Sequence, residues 1–315
     1  MERERKLTVA ILAMLILVAV IAIVDISFKI EEKHSREIKL TLPDIGAGIG
    51  IVRVEGPIEL SSRPGPFGMP EGAEAVVKRL DSLEKDSNIR AVVLRINSPG
   101  GTVAATQEIY EKIMKLRKKN IPVVASMGDL AASGGYYVAA ACNHIVANYG
   151  TVTGSIGVIA YSPNLRRLFD KFGIKMNVIK SGKYKDILAS HRDMSRDERV
   201  LLQELIDSSY GKFVKDVAVG RNMSELDIMK VADGRIMSGI TALENKLVDQ
   251  MGTFEDAIAK ARELAGLDED SPVYEEKTSP FNEFFGTLNS ILRGSSLPGS
   301  EVLYPVYKLE YRYMR

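Results

Sequence analysis

The central part of the chain alternates between short apolar runs and longer segments with one apolar face. The runs are rich in valine, isoleucine and alanine, as buried strands are, and they lie at 51–54, 89–96, 121–126 and 144–147. Helical periodicity marks the segments 71–86, 103–119 and 164–172. Strands that alternate with helices in this way form βαβ units, so the pattern predicts an α/β fold with a mostly parallel sheet.

Two capping patterns predict helices further along the chain. Ser195 and Glu198 match a capping box at the start of a long helix, and Ser224 begins a second helix in the same way. The first of these helices has an apolar face formed by Leu201, Leu202, Leu205 and Ile206. A further strand is predicted at 176–180, followed by a loop at 181–186.

The amino terminus differs from this alternating centre. Residues 7–24 are 18 consecutive residues without a charge, which is about the length that crosses a bilayer core. Arg3, Arg5 and Lys6 precede them, which favours a cytoplasmic location for residues 1–6. Because no small-residue cleavage site precedes Asp25, we expect an uncleaved transmembrane helix with the rest of the chain outside the cytoplasm, at the cell membrane.

The remaining segments divide into a stalk, a globular domain and a tail. We expect the stalk at 25–47, the domain at 48–266 and the tail at 267–315. The tail contains an amphipathic stripe of Phe281, Phe284, Phe285, Leu288 and Leu292. Four of the twelve tyrosines lie in the last twelve residues. The tail could pack on its own domain or bind a partner or a second subunit, and both interpretations stay open.

Composition narrows the function classes without selecting one. The chain has 315 residues, 45% of them hydrophobic and 26% charged, as in an ordinary globular protein. A net charge of +1 gives no indication of a nucleic-acid partner. The single cysteine, Cys142, lies in an apolar helical run and is interpreted as a buried small side chain. No metal-binding motif occurs, so we expect neither a metal nor another cofactor.

The most informative segment for chemistry is 129–137. An apolar strand leads into it, and a helix of small residues follows, so Ser133 would lie at the first turn of that helix. Such a serine has free main-chain N–H groups and the positive end of the helix dipole beside it, which suits a nucleophile. A helix-capping serine without catalytic function fits the same nine residues.

A nucleophilic serine needs a base and an oxyanion site. None of the three histidines, His34, His144 and His191, is well placed by its context. Lys185 follows a predicted strand in a glycine-containing loop, and a buried lysine can act as a base when it is held neutral. The turn at Gly100 could supply main-chain N–H groups, although a plain strand-to-helix turn has the same sequence.

Four motifs, at 97–101, 132–137, 153–158 and 181–186, resemble in order and spacing those of the signal peptide peptidase A family. A further match lies at 234–249. Members of this family are membrane-anchored Ser-Lys proteases whose fold resembles ClpP and crotonase. The 52 residues between Ser133 and Lys185, and the 22 between Ser133 and Ser155, fit the short form of the family.

This resemblance implies roles for five residues. Ser133 is the expected nucleophile and Lys185 the general base. The main-chain N–H groups of Gly100 and Gly134 would form the oxyanion hole, and Ser155 would orient the lysine amine. The resemblance also implies a homo-oligomer, an octamer for the short form, that degrades hydrophobic peptides such as cleaved signal peptides.

Three other functions remain compatible with the sequence. An NfeD-type membrane protease would cut one specific partner. A crotonase-like enzyme on the same fold would act on an acyl-CoA, and an idle scaffold would bind a partner through its tail. For a peptidase, we expect an extended substrate beside a strand and side-chain pockets that accept apolar residues. Their expected lining is Val103, Ala104, Leu130 and Ala131.

Overall fold

The computed structural model is built around an eight-stranded sheet and describes residues 46–60, 72–275 and 310–312. The strands are β1 Gly48–Glu55, β2 Ile89–Ser98, β3 Gly100–Thr102, β4 Val123–Ala132, β5 His144–Ala147, β6 Val152–Gly154, β7 Ile236–Ser238, β8 Gln250–Met251, β9 Val273–Glu275 and β10 Glu310–Arg312. The helices are α1 Ala73–Lys85, α2 Val103–Lys118, α3 Gly134–Ala140, α4 Arg166–Lys171, α5 Arg196–Arg221, α6 Glu225–Met229, α7 Gly239–Glu244 and α8 Phe254–Ala265. The anchor predicted at 7–24 and the apolar stripe of the tail lie outside these residues.

The sheet has the mostly parallel topology that the sequence predicts. Its main strand order is β7-β6-β4-β2-β1-β9, while β5 pairs with β4 and β8 pairs with β5. Every pair within it is parallel except β6 with β7. The α/β class is therefore confirmed. Within the described ranges, no helix is both long and apolar enough to cross a membrane.

Helices cover both faces of the sheet. Alternate residues of the central strands point to opposite sides, so each strand contributes to two cores. On one face, Val92 and Leu94 of β2 join a core that includes Leu80 of α1 and Ile113 of α2. On the other face, Val93 packs in a smaller core with α8, whose contributions are Ala257, Ile258 and Ala261. Strands buried on both sides explain why the runs at 89–96 and 121–126 are almost continuously apolar.

Strand β4 pairs with two different strands along one edge. Residues 124–127 pair with β5, whereas Leu130, Ala131 and Ala132 pair with β6. On the opposite edge, β4 pairs with β2 over most of its length. The carboxyl ends of β2, β4 and β6 therefore converge, and Ser133 comes directly after β4.

Two local predictions in the second half of the chain are wrong. Residues 176–180 form no strand and are exposed, because no neighbouring strand lies there to pair with them. The apolar face predicted near the start of α5 is only partly buried: Leu202 and Ile206 are half-buried, whereas Leu201 and Leu205 are exposed. Helix α5 instead packs through its carboxyl-terminal half, where Phe213 and Val217 are fully buried.

The fold continues beyond residue 266, the expected end of the domain. Strand β9 lies at 273–275 and pairs with β1, so this segment belongs to the sheet. Strand β10, in the tail, pairs antiparallel with β3. At 310–312, therefore, the tail lies against its own chain, and the strand it contacts begins at Gly100.

Candidate active site

Ser133 lies in a sharp turn between β4 and α3. Its backbone angles are φ 54° and ψ −117°, a conformation that residues other than glycine rarely adopt. Strain of this kind persists only where the surrounding structure maintains it, and it is frequent at catalytic positions. The residue is 1% exposed. The turn therefore fixes the serine at the end of β4 and at the amino end of α3.

Helix α3 is held in place by the hydroxyl groups of its two tyrosines. Tyr136 donates a hydrogen bond of 2.9 Å to the carbonyl of Leu247, and Tyr137 donates to the carboxylate of Asp216. The ring of Tyr137 also packs edge-on against Phe213, with a centroid distance of 4.9 Å. Burial raises the pKa of Tyr136, so its hydroxyl remains a donor at neutral pH. The helix behind Ser133 is thus anchored to α5 and to the segment before β8.

The first turn of α3 packs closely against the turn that follows β2. A Cβ atom at Gly135 would lie 2.8 Å from the carbonyl oxygen of Ser98, so only glycine fits there. Gly100 has φ +94°, which also favours glycine, and its N–H donates to the Ser98 hydroxyl over 3.1 Å. Ser98 in turn donates to the carbonyl of Gly56 at 2.6 Å. The N–H group of Gly100 therefore lies close to the turn that holds Ser133, and in this conformation it is already hydrogen-bonded to Ser98.

The next residue, Gly101, faces the opposite edge of β3. Ile58 bridges β3 through the carbonyl of Gly100 and the N–H of Thr102, at 2.9 and 2.8 Å. Main-chain polar groups alternate along a strand, so the N–H and carbonyl of Gly101 point toward β10, where Tyr311 is its partner. The sequence assigned no role to Gly101. The only sequence feature that indicates one is its position as the second glycine of the pair.

The third side of the site is formed by the end of β6. The N–H of Ser133 donates to the carbonyl of Gly154 over 2.8 Å, which places Ser155 next to the nucleophile turn. Ser155 has φ 52°, a second unusual backbone angle, and its N–H donates to the carbonyl of Arg235 at 2.7 Å. The fold therefore brings together four of the predicted site residues: Gly100, Ser133, Gly134 and Ser155.

Lys185 is placed differently. It lies in the segment 157–190, which leaves the sheet after β6 and contains only the short helix α4. The side chain is exposed, and among the described residues its ammonium group makes no hydrogen bond or ion pair. No hydrogen bond connects it with Ser133 or Ser155 in the described part of the chain. Within one chain, therefore, Lys185 is not joined to the four residues at the ends of the strands.

The other candidate groups have structural partners. His144 lies 3.2 Å from the side-chain oxygen of Gln250 and 4.0 Å from Asp249. Burial raises the pKa of the Cys142 thiol to about 12, so it remains protonated at neutral pH, in agreement with a buried small side chain. Within the described ranges, no group of three or more histidine, cysteine or acidic residues is arranged to hold a metal ion.

Two protein-family models match the part of the chain that contains this site. The model of peptidase family S49 matches residues 115–268, and that of Clp protease matches residues 69–146. The first match spans Ser133, Ser155 and Lys185. The second includes β2, β3 and β4, which supply the turns around Ser133.

Individual relatives agree with these matches. A protein of Synechocystis sp. named as a protease is 53% identical over 62% of this chain and 70% of its own length. One from Methanocaldococcus jannaschii, also named as a protease, is 39% identical over 76% of each chain. A protein of Enterococcus faecium named as a signal peptide peptidase SppA is 38% identical, over 64% of this chain and 59% of its own length.

Proposed function

Because this chain belongs to peptidase family S49, we propose that it is a serine endopeptidase in which Ser133 is the nucleophile and Lys185 the base. The observation that carries the proposal is the backbone of Ser133, a serine held in a strained turn at the amino end of a buried helix. A nucleophile in such a turn projects from the end of its strand, beside the free N–H groups of the helix. A helix-capping serine has no need of this strain: Ser195, Ser224 and Ser238 cap helices in ordinary extended conformations.

The oxyanion site would be formed from both sides of the nucleophile. Gly134 is the first residue of α3, so its N–H has no partner within the helix. Gly100 would supply the second donor after releasing the Ser98 hydroxyl, or Gly101 would supply it from the edge of β3. Two fixed N–H donors stabilise the developing negative charge more than the neutral carbonyl, which lowers the barrier of the attack.

The reaction then has two halves, acylation of Ser133 and hydrolysis of the acyl-enzyme, and each half has two proton transfers. Neutral Lys185 accepts the Ser133 hydroxyl proton as the serine oxygen attacks the peptide carbonyl carbon. The C–N bond breaks, and the lysine ammonium protonates the leaving amine. In the second half, Lys185 accepts a proton from water, the resulting hydroxide attacks the acyl ester, and the proton returns to the serine oxygen. Ser155 would hold the amine in position through its hydroxyl.

We propose that Lys185 reaches Ser133 from a second copy of this chain. The lysine is exposed and without a partner among the described residues, and many exposed apolar residues lie in the same part of the chain. Of the 20 large hydrophobic residues that are exposed in the described chain, 13 lie between 149 and 205; Phe172, Ile174 and Ile179 are examples. Exposed apolar residues in such number fit a subunit interface. A homo-oligomer, which we propose to be a ring of eight, would therefore complete the site.

The proposed substrates are extended hydrophobic peptides, such as cleaved signal peptides. The edge of β3 already pairs with one extended segment, β10, so it can pair with a peptide by strand addition. Val103, Ala104 and Leu130 border this region and are at least partly exposed, whereas Ala131 is fully buried and cannot line a pocket. We further propose that residues 7–24 anchor the enzyme in the cell membrane, with this domain outside the cytoplasm.

Labelling with a fluorophosphonate and hydrolysis of an apolar peptide test the proposal together. Ser133→Ala should abolish labelling and reduce kcat by at least about 10³-fold, since removal of a nucleophile removes the covalent route. Ser82→Ala, which removes an exposed helical hydroxyl, is the matched control and should leave both unchanged. Lys185→Ala should inactivate the enzyme while Lys183→Ala does not. Turnover close to wild type in Ser133→Ala would refute the proposal.

A further inference from the structure

Arg192 holds the loop that carries Lys185 through several hydrogen bonds. Its guanidinium Nε donates to the Asp186 carboxylate at 2.9 Å, and Nη2 donates to the Asp186 carbonyl at 3.0 Å. The same group binds both oxygens of Glu198, at 2.9 and 2.5 Å, and the carbonyl of Asp193 at 3.1 Å. These five contacts match the five N–H donors of an arginine side chain. Arg192 thus ties the residue next to Lys185 to the start of α5.

Glu198 makes the other end of this connection rigid. It is the N3 residue of α5, and its carboxylate accepts the Ser195 N–H at 2.8 Å in a capping box. Its side chain is only 3% exposed. The hydrogen bond from Arg192 is the main reason that the pKa of Glu198 is lowered to about 2. The carboxylate is therefore charged at neutral pH.

The charges around Lys185 are paired so that its own ammonium group is left without a carboxylate. Lys180 binds Asp186 and also donates to the Lys183 carbonyl at 3.0 Å, while Lys183 pairs with Asp197 of α5. Among the three lysines of 180–185, Lys185 alone has no acidic partner in the described part of the chain. Hydrogen bonds, first from Arg192 and then from Lys180, hold the pKa of Asp186 well below its usual range.

This arrangement matters because a lysine base must lose its proton near neutral pH. An uncompensated carboxylate beside it would stabilise the ammonium form and raise its pKa. Asp186 is the adjacent residue, yet its charge is directed to Arg192 and Lys180. The group of Lys180, Asp186, Arg192 and Glu198 has two positive and two negative charges, so it is neutral as a whole.

We propose that Arg192 is a positioning residue that fixes the Lys185 loop on α5 and keeps the Asp186 carboxylate away from the lysine amine. The inference rests on the proposed function, in which Lys185 is the base. It gives Arg192 and Asp186 a role in setting the pH range of the reaction, beyond holding the loop in place.

The test is the pH dependence of kcat/KM for peptide hydrolysis by the full chain. In Arg192→Gln, the Asp186 carboxylate keeps only Lys180 as a partner. Its less compensated charge should move the acid limb up by about one pH unit, since one nearby unit charge changes a partly screened pKa by about that amount. At pH 7, kcat/KM should therefore fall by about tenfold. Arg192→Lys should recover part of this loss, because an ammonium group can pair with one carboxylate but cannot bridge both.

The double variant Arg192→Gln/Asp186→Asn separates the proposed role from a merely structural one. Without the carboxylate, the acid limb should return to its wild-type position even if kcat remains low. Asp186→Asn alone should leave the limb unmoved, and Arg53→Gln, which removes an exposed ion pair with Glu275, is the matched arginine control.

Three results would overturn the inference in distinguishable ways. If Arg192→Gln and Arg192→Lys are folded by circular dichroism and lose activity without a shift of the acid limb, Arg192 supports the loop only. If wild-type hydrolysis does not depend on Ser133 and Lys185, the proposed function itself fails, and with it the positioning role. A shift that persists in the double variant would also contradict the role assigned to Asp186.

Discussion

At the scale of single residues, the site depends on a few backbone angles and buried hydrogen bonds. Ser133 and Ser155 both adopt left-handed φ values, and the N–H of Ser133 bonds to the residue before Ser155. Ser98 holds the Gly100 turn through two hydrogen bonds. The two turns and the carbonyl of Gly56 therefore fix the positions of these residues.

Glu198 provides a prediction about stability at this scale. Because Arg192 lowers its pKa in the folded state to about 2, below the value of about 4.3 for an unperturbed glutamate, its ionised form favours folding. This contribution is fully present above the unfolded pKa and is lost as the pH falls through the folded one. Glu198→Gln should therefore be less stable than wild type at pH 7, and the difference should shrink between about pH 5 and pH 2.

Urea unfolding of both proteins across this pH range measures the difference. Glu269→Gln, a change at an exposed acidic position, is the control and should have little effect at any pH. A gap between wild type and Glu198→Gln that stays constant down to pH 2 would mean that the ionised carboxylate contributes nothing.

At the scale of elements, the pairing of β10 with the edge of β3 bears most directly on how a peptide could bind. Strand β3 is short, has one edge bridged by Ile58, and presents the other edge to β10. An edge of unpaired main-chain groups accepts any extended chain of suitable length. Since this edge begins at Gly100, the tail lies where the proposed substrate would pair.

Competition between the tail and the substrate follows from this position. Tyr311→Pro removes one main-chain donor from β10, and so should weaken its pairing and lower the KM for a peptide without changing kcat. The fall should be about twofold if the tail covers β3 half of the time and about tenfold if it does so nine-tenths of the time. Tyr311→Thr keeps the donor and should retain more of the competition. An unchanged KM in Tyr311→Pro would show that β10 does not compete.

At the scale of the whole molecule, the second copy of the chain proposed above would account for both the exposed lysine and the exposed apolar residues of 149–205. The prediction concerns mixtures of inactive variants. Ser133→Ala keeps the lysine and Lys185→Ala keeps the serine, so co-assembled chains should recover activity if the lysine acts between copies. If both residues act within one chain, neither variant can supply a complete site.

Co-expression of the two variants, followed by fluorophosphonate labelling of the purified oligomer, gives the measurement. Labelling should appear only on chains that carry Lys185→Ala, because these retain Ser133. The Ser133→Ala/Lys185→Ala double variant mixed with Lys185→Ala is the control and should stay inactive. Absence of labelling in assembled mixed oligomers would refute the shared site.

Much of the fold and part of the site could be predicted from the sequence. The buried strands and the helices at 73–85 and 103–118 follow from local periodicity, since each must bury an apolar surface whatever surrounds it. The glycines next to Ser133 and at Gly100 predict the two turns, because glycine is required where two backbone segments approach closely. Ordered motifs therefore indicated which residues meet at the ends of β2, β4 and β6.

Only the tertiary structure decided the features that depend on contacts between residues far apart in the sequence. The apolar residues at 176–180 look like a strand but have no strand beside them, and Leu201 and Leu205 form an apolar face with nothing in the described chain to cover it. The pairing of β10 with β3 joins residues some 200 positions apart, which no local pattern encodes. Lys185 is exposed for the same reason: a side chain's surroundings are set by contacts across the fold and not by its neighbours in sequence.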